Sequence, residues 1–217
     1  MQSLVERWQA EADTRSDFLN CYQMMTSNML AAIEAGEFND PGWVNNLLSH
    51  FAYYYFNALD AYEQAQPETP QVWRLTFDSA RQRDTLALQN LLLGVNAHIN
   101  FDLIFTLRDV LSPDWQQLTQ DERQGRYADH CHVNQVIGST VDAVQDQVLE
   151  PGMPVMDLVD KLLGPFDEML ISRLIAGWRE TVWENAIHLL QTQEPDERAR
   201  ILHHVEEEAL KMGRLIG

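Results

Sequence analysis

A single run of nine residues constrains this chain more than any other feature. Val95-Asn96-Ala97-His98-Ile99-Asn100-Phe101-Asp102-Leu103 alternates apolar and polar side chains without a break, which is the period of a half-buried β-strand. A strand needs a partner for its backbone groups, and nothing else in the chain alternates over more than a few residues. An orphan strand would leave its N–H and C=O groups unmet, so the segment is expected to be helical. Its flanks, Leu91-Leu92-Leu93 and Leu103-Ile104-Phe105, are apolar on nearly every side, so the helix is expected to be central. At helical spacing His98 and Asp102 share one face, one turn apart, while Asn96 and Asn100 lie on a nearly opposite face.

The remaining pattern is helical throughout. Apolar residues at helical spacing run through residues 3–35 (Leu4, Trp8, Phe18, Tyr22, Met25, Met29, Ile33). Asp40 before Pro41 reads as an N-cap with proline in the first turn, opening a second helix that runs to about Ala65. Thr69-Pro70 opens a third, predicted to continue through Trp73, Phe77 and Leu86 into Leu91-Leu92-Leu93, and Ser112-Pro113 closes the segment after it. The polar stretch 119–132 is expected to be partly loop, with helical spacing returning from Val133 to Leu149. Glu150-Pro151-Gly152 marks a break, a short helix is expected over about 154–163, and longer ones over 166–192 and 196–213. The expectation is an all-α, single-domain bundle of about seven helices with short connections.

Composition narrows the function classes. Fifteen Lys+Arg against thirty-three Asp+Glu give a formal charge of −18, which disfavours nucleic acid and anionic lipid as partners. No apolar run is long enough for a membrane span, and the opening residues lack a Sec-type leader. Two cysteines, Cys21 and Cys131, form no metal-ligand or redox motif, and a cytoplasmic location is expected. The expected partner is a small-molecule ligand or substrate; homo-oligomerisation is left open.

Burying the central segment buries polar side chains, and those persist only when paired. His98 and Asp102 are therefore either a hydrogen-bonded structural pair or the catalytic groups of a polar pocket in the middle of the bundle. In the second case Asn96, Asn100, Asn134, Tyr54 and Tyr55 are candidate substrate-binding groups, and Arg74 would clamp an anionic substrate part or pair with Asp78. His98 and Asp102 could also converge on a divalent metal such as zinc, iron or manganese. Two ligands seldom hold an ion against water, and Asp129, His130 and His132, expected in a loop or at a helix start, are the richest source of a third. No Glu-x-x-His occurs, which disfavours the carboxylate-bridged di-iron class. Gly-rich phosphate loops and Gly-x-Ser-x-Gly elbows are also missing.

The segment Leu92-Leu93-Gly94-Val95-Asn96-Ala97-His98-Ile99-Asn100-Phe101-Asp102-Leu103 resembles the LLGxNAHIN[YF]DL signature of a bacterial family of unknown function. Phe51–Leu59 and Trp73–Phe77 resemble that family's FAxxYFxAL and WRxxF segments, and Asp129 and Asn134 its later D…VN element. The resemblance covers about residues 15–145. It implies a helical fold and a shared polar site, and supplies no reaction. Two classes of function follow: a small-molecule enzyme using His98 and Asp102, or a non-catalytic ligand-binding or interaction protein in which the same residues hold helices together.

Overall fold

The computed structural model describes residues 1–82, 85–148 and 168–217, and the described residues form helices and no strands. The elements are α1 (Gln2–Ala10), α2 (Arg15–Glu34), α3 (Pro41–Glu63), α4 (Gln71–Ala80), α5 (Ala87–Asn96), a π-helical turn (Ala97–Asp102), α6 (Leu103–Leu111), α7 (Gln120–Val148), α8 (Glu168–Gln191) and α9 (Pro195–Ile216). The all-α class expected from periodicity is what is found. The predicted break at Glu150-Pro151-Gly152 and the predicted helix 154–163 lie outside the described residues.

α5, the π turn and α6 make one continuous rod, and this rod is the axis of the molecule. The π turn packs against α3, α4, α8 and α9. Asn96, Ala97, His98, Ile99, Phe101 and Asp102 are all buried. No α-helical face could place so strict an alternation entirely inside; it is accommodated because neighbours cover the rod on all sides. The turn is π rather than α: the Leu103 N–H donates to the His98 carbonyl, five residues back. Such single π turns are rare and recur at functional sites.

Two apolar clusters flank the rod and meet at Val95 and Phe105. One holds Trp8, Phe18, Tyr55, Trp73, Phe77 and Leu92; the other holds Trp43, Ile99, Ile104, Val133, Trp183 and Leu189. Close approach of α2 to α5 requires Gly94, because a Cβ there would meet Phe18 Cγ at 2.3 Å.

Three sequence expectations about boundaries are corrected. Residues 3–35 break between Ala10 and Arg15, where Ala12 adopts a positive φ of 52°. The helix predicted from Pro70 into Leu93 ends at Ala80, and the chain turns before α5, with the Thr85 hydroxyl donating to the Ser79 carbonyl. Residues 120–132 are helical rather than loop. Thr119 and Glu122 form a reciprocal cap at the start of α7. The polar residues that follow find partners instead of water: Arg123 donates to the Trp115 carbonyl and Arg126 pairs with Asp40 and Asp114. The expected cap of α3 is present, with the Asp40 carboxylate accepting from the Trp43 N–H at 2.8 Å.

Candidate functional site

The site grows from the π turn. His98 and Asp102, on the same face as expected, are joined by a 2.9 Å hydrogen bond between His98 Nδ1 and Asp102 Oδ2. Trp73 on α4 donates its indole N–H to the same carboxylate, 3.0 Å from each oxygen. Both side chains are buried. The imidazole lies flat on Phe51 of α3, with ring centroids 3.5 Å apart and planes 8° from parallel, and meets Tyr22 of α2 edge-on at 4.5 Å. Trp73, Phe51 and Tyr22 therefore fix the ring from three helices.

Burial pushes the His98 imidazole below its ordinary value, against the opposing pull of Asp102. Burial likewise raises the Asp102 carboxyl, opposed by its bonds to His98 and Trp73. With Asp102 ionised, its two acceptor oxygens require His98 Nδ1 to carry the proton. That leaves Nε2 with its lone pair. Nε2 is buried and has no hydrogen-bond partner among the described residues.

His98 forms part of the wall of a cavity of about 150 Å³. The other walls come from Phe18, Met25, Leu48, Leu92, Ile137 and Ile175, among other apolar side chains of α2, α3, α5, α7 and α8. The pocket beside His98 is therefore mainly apolar rather than polar as expected, the asparagines of the rod facing α9 instead. A dry cavity of that volume holds a benzene-sized molecule. Cys21 also lines it, but burial pushes its thiol up to about 12, so the thiolate is absent near neutral pH.

Arg179 of α8 also reaches this cavity. Its guanidinium is buried and bonded only to neutral acceptors: Nε to the Asn134 side-chain oxygen at 2.8 Å, and Nη2 to the His130 carbonyl at 2.8 Å and His130 Nδ1 at 3.2 Å. No carboxylate pairs with it among the described residues, and burial lowers it to about 10, still cationic near neutral pH. Arg179 was not among the sequence candidates. A signal existed, since it interrupts the apolar stripe Ile171, Ile175, Val182 and Ala186 on α8 at helical spacing. Trp73 lies in the core, and its indole donor to Asp102 comes from another helix, beyond the reach of spacing within the central segment.

The other candidates are dispersed. Asn100 donates to the Asn96 side chain, and Asn96 donates to the Ala209 carbonyl of α9, so this pair ties the rod to α9 on the far face. Arg74 is exposed and donates to the Gln66 and Pro67 carbonyls rather than to Asp78, which accepts from Tyr62. Tyr54 bonds Asp109 at 2.5 Å. Tyr55 is buried among Phe18, Trp73 and Phe77. Asn134 holds Arg179, as above.

The five proposed metal ligands are not brought together, and among the described residues no three His, Cys, Asp or Glu side chains gather round one point. The physical reason is that residues 129–132 are helical and so point in different directions. Asp129 accepts from the Asn39 N–H at 2.7 Å, the Asn39 amide at 2.9 Å and the Asp40 N–H at 2.8 Å, holding the loop before α3. His130 is buried against Arg179, and burial and that cation lower its pKa well below the ordinary value. His132 reaches Glu37 at 2.9 Å.

No helix among the described residues is long and apolar enough to cross a membrane. Neither a curated protein nor a solved structure matches the chain. A family profile does match, over residues 1–217, and the chain belongs to that family, a family of unknown function (DUF5995).

Proposed function

We propose that the chain is an enzyme acting on a small, largely apolar molecule held in the central cavity, with His98 Nε2 as the general base. The observation that carries this reading is a buried His98 in the wall of an apolar cavity, its Nε2 without a hydrogen-bond partner among the described residues, backed by an imidazole–carboxylate–indole chain. Asp102 holds the tautomer and would stabilise the imidazolium that forms when Nε2 takes a proton from the bound molecule. Trp73 holds Asp102. The arrangement follows the general logic of a base oriented by a buried carboxylate. On this reading the Leu92–Leu103 signature segment carries the site that other members of the family share.

A second reading, a non-catalytic carrier, is favoured by the nearly unbroken apolar lining of the cavity. The two separate in one experiment. The chain is incubated in D2O with a panel of benzene-sized carbon acids, and exchange of their acidic C–H for deuterium is followed by NMR. Wild type should accelerate exchange for at least one member, and His98→Gln should lose about 10²–10⁴-fold of that rate, the usual share of a positioned base, while still binding the compound. Binding without His98-dependent exchange would establish the carrier instead.

A further inference from the structure

We propose that the molecule taken up by the cavity is a compact apolar monocarboxylate, and that Arg179 receives its carboxylate. The inference rests on the cavity reading above and names its ligand class.

Three observations converge on it. Arg179 combines burial, a place in the cavity wall and a lack of any acidic partner among the described residues. A buried cation without an anion is costly, and chains retain one where something else supplies the negative charge. Its fork is also half spent: Nε and Nη2 are bonded, whereas Nη1 has no hydrogen-bond partner among the described residues. Finally, the guanidinium is held rigidly by Asn134 and by the backbone of His130 on α7, as a receptor group must be.

The chemistry of the rest of the cavity selects a monoanion over a phosphate. Among the described residues no second Lys or Arg lines it. His98 is driven toward its neutral form. Three residues of the wall carry hydroxyls: Thr26 donates to the Tyr22 carbonyl, Thr140 donates to the Val136 carbonyl and accepts from the Asn28 amide, and the Tyr22 phenol is pushed up by burial and brings no charge. One guanidinium matches one carboxylate in charge, with the Nη1 N–H groups left to donate to it, whereas a phosphate monoester brings nearly two charges into a chain already at −18. The remainder of the ligand must be apolar and about the size of a benzene ring, since that is what a 150 Å³ space lined by Phe18, Met25, Leu48, Leu92 and Ile175 admits.

Matched pairs test this by calorimetry on the full chain: benzoate with benzyl alcohol, hexanoate with hexanol, and phenyl phosphate as the dianion. Wild type should bind the carboxylates at least tenfold more tightly than the alcohols, with phenyl phosphate weaker than benzoate. Arg179→Met should abolish the carboxylate preference and leave alcohol binding within a few-fold, and Arg179→Lys should keep part of it. Because Arg179→Met also loses its bonds to α7, the wild-type comparison stands by itself if that variant does not fold. Alcohols binding as tightly as carboxylates would overturn the carboxylate assignment and leave the cavity reading intact. Tighter phenyl phosphate would overturn it in favour of a phosphate ester. No binding by any member, with no His98-dependent exchange, would overturn both.

Discussion

Replacing Gly94 with Ala adds one methyl to a helix, where intrinsic propensity favours Ala by about 1 kcal/mol. In this molecule the sign should reverse. The new Cβ would lie 2.3 Å from Phe18 Cγ, 2.4 Å from Cδ2 and 2.8 Å from Cβ, against a comfortable carbon–carbon separation of about 3.5–4.0 Å. Phe18 would have to retreat by more than about 1 Å on that scale. It has nowhere to go: it is buried, and its ring packs on Tyr22, Tyr55 and Trp73 with centroids 5.8, 5.4 and 5.7 Å away. Overpacking costs about 1–3 kcal/mol. The contact includes Phe18 Cβ, which moves only with the α2 backbone, so the upper part of that range applies. After the propensity gain the net loss should be about 1–2 kcal/mol, or about 2–8 °C in Tm for a chain of this size. Urea denaturation followed by tryptophan fluorescence measures it. A cycle with Phe18→Leu should show coupling of at least about 1 kcal/mol, because the smaller side chain makes room for the methyl. A Gly94→Ala variant as stable as wild type, or a cycle without coupling, would refute the close approach of α2 and α5. It would also remove the geometry that sets Phe18 beside His98.

Further outcomes follow from the same packing. Ile99→Ala should cost about 2–3 kcal/mol in denaturation midpoint, the low end for such truncations, because Ile99 already faces the cavity on one side and loses fewer contacts. Asp129→Ala strips the acceptor from three N–H groups of Asn39 and Asp40 and should destabilise by about 2–4 kcal/mol; hydrogen exchange at Asn39 and Asp40 should rise with it. His130 has a folded pKa below 6.5 through burial and Arg179, so below pH 6.5 the unfolded chain binds the extra proton. Its contribution is complete above that pH and is lost on acidification, with a limiting slope of about 1.4 kcal/mol per pH unit. Stability measured from pH 7 to 5 should fall less steeply in His130→Gln than in wild type, and equal slopes would show that the imidazole is not held neutral.

Much of the fold was legible because its signals are local. Periodicity, the Asp40-Pro41 cap and the Ser112-Pro113 stop act within a few residues, and so does the His98–Asp102 pairing, which needs only helical spacing. Local pattern failed where the partner is distant. Residues 120–132 look like a loop by composition, yet they are helical because Asp129, His130 and Arg126 find partners on the loop before α3 and on α8. For the same reason no metal-ligand set could be read: once helical, residues 129–132 radiate to separate neighbours. The alternating segment determined by itself that polar groups would be buried. Which of them would be satisfied was decided by packing: Trp73 closed Asp102, Ala209 closed Asn96, and nothing among the described residues closed His98 Nε2. Arg179 shows on α8 as a break in an apolar stripe, but its lack of a carboxylate partner among the described residues and the cavity beside it belong to tertiary structure, because empty space and charge pairing are properties of five helices meeting that no single helix encodes.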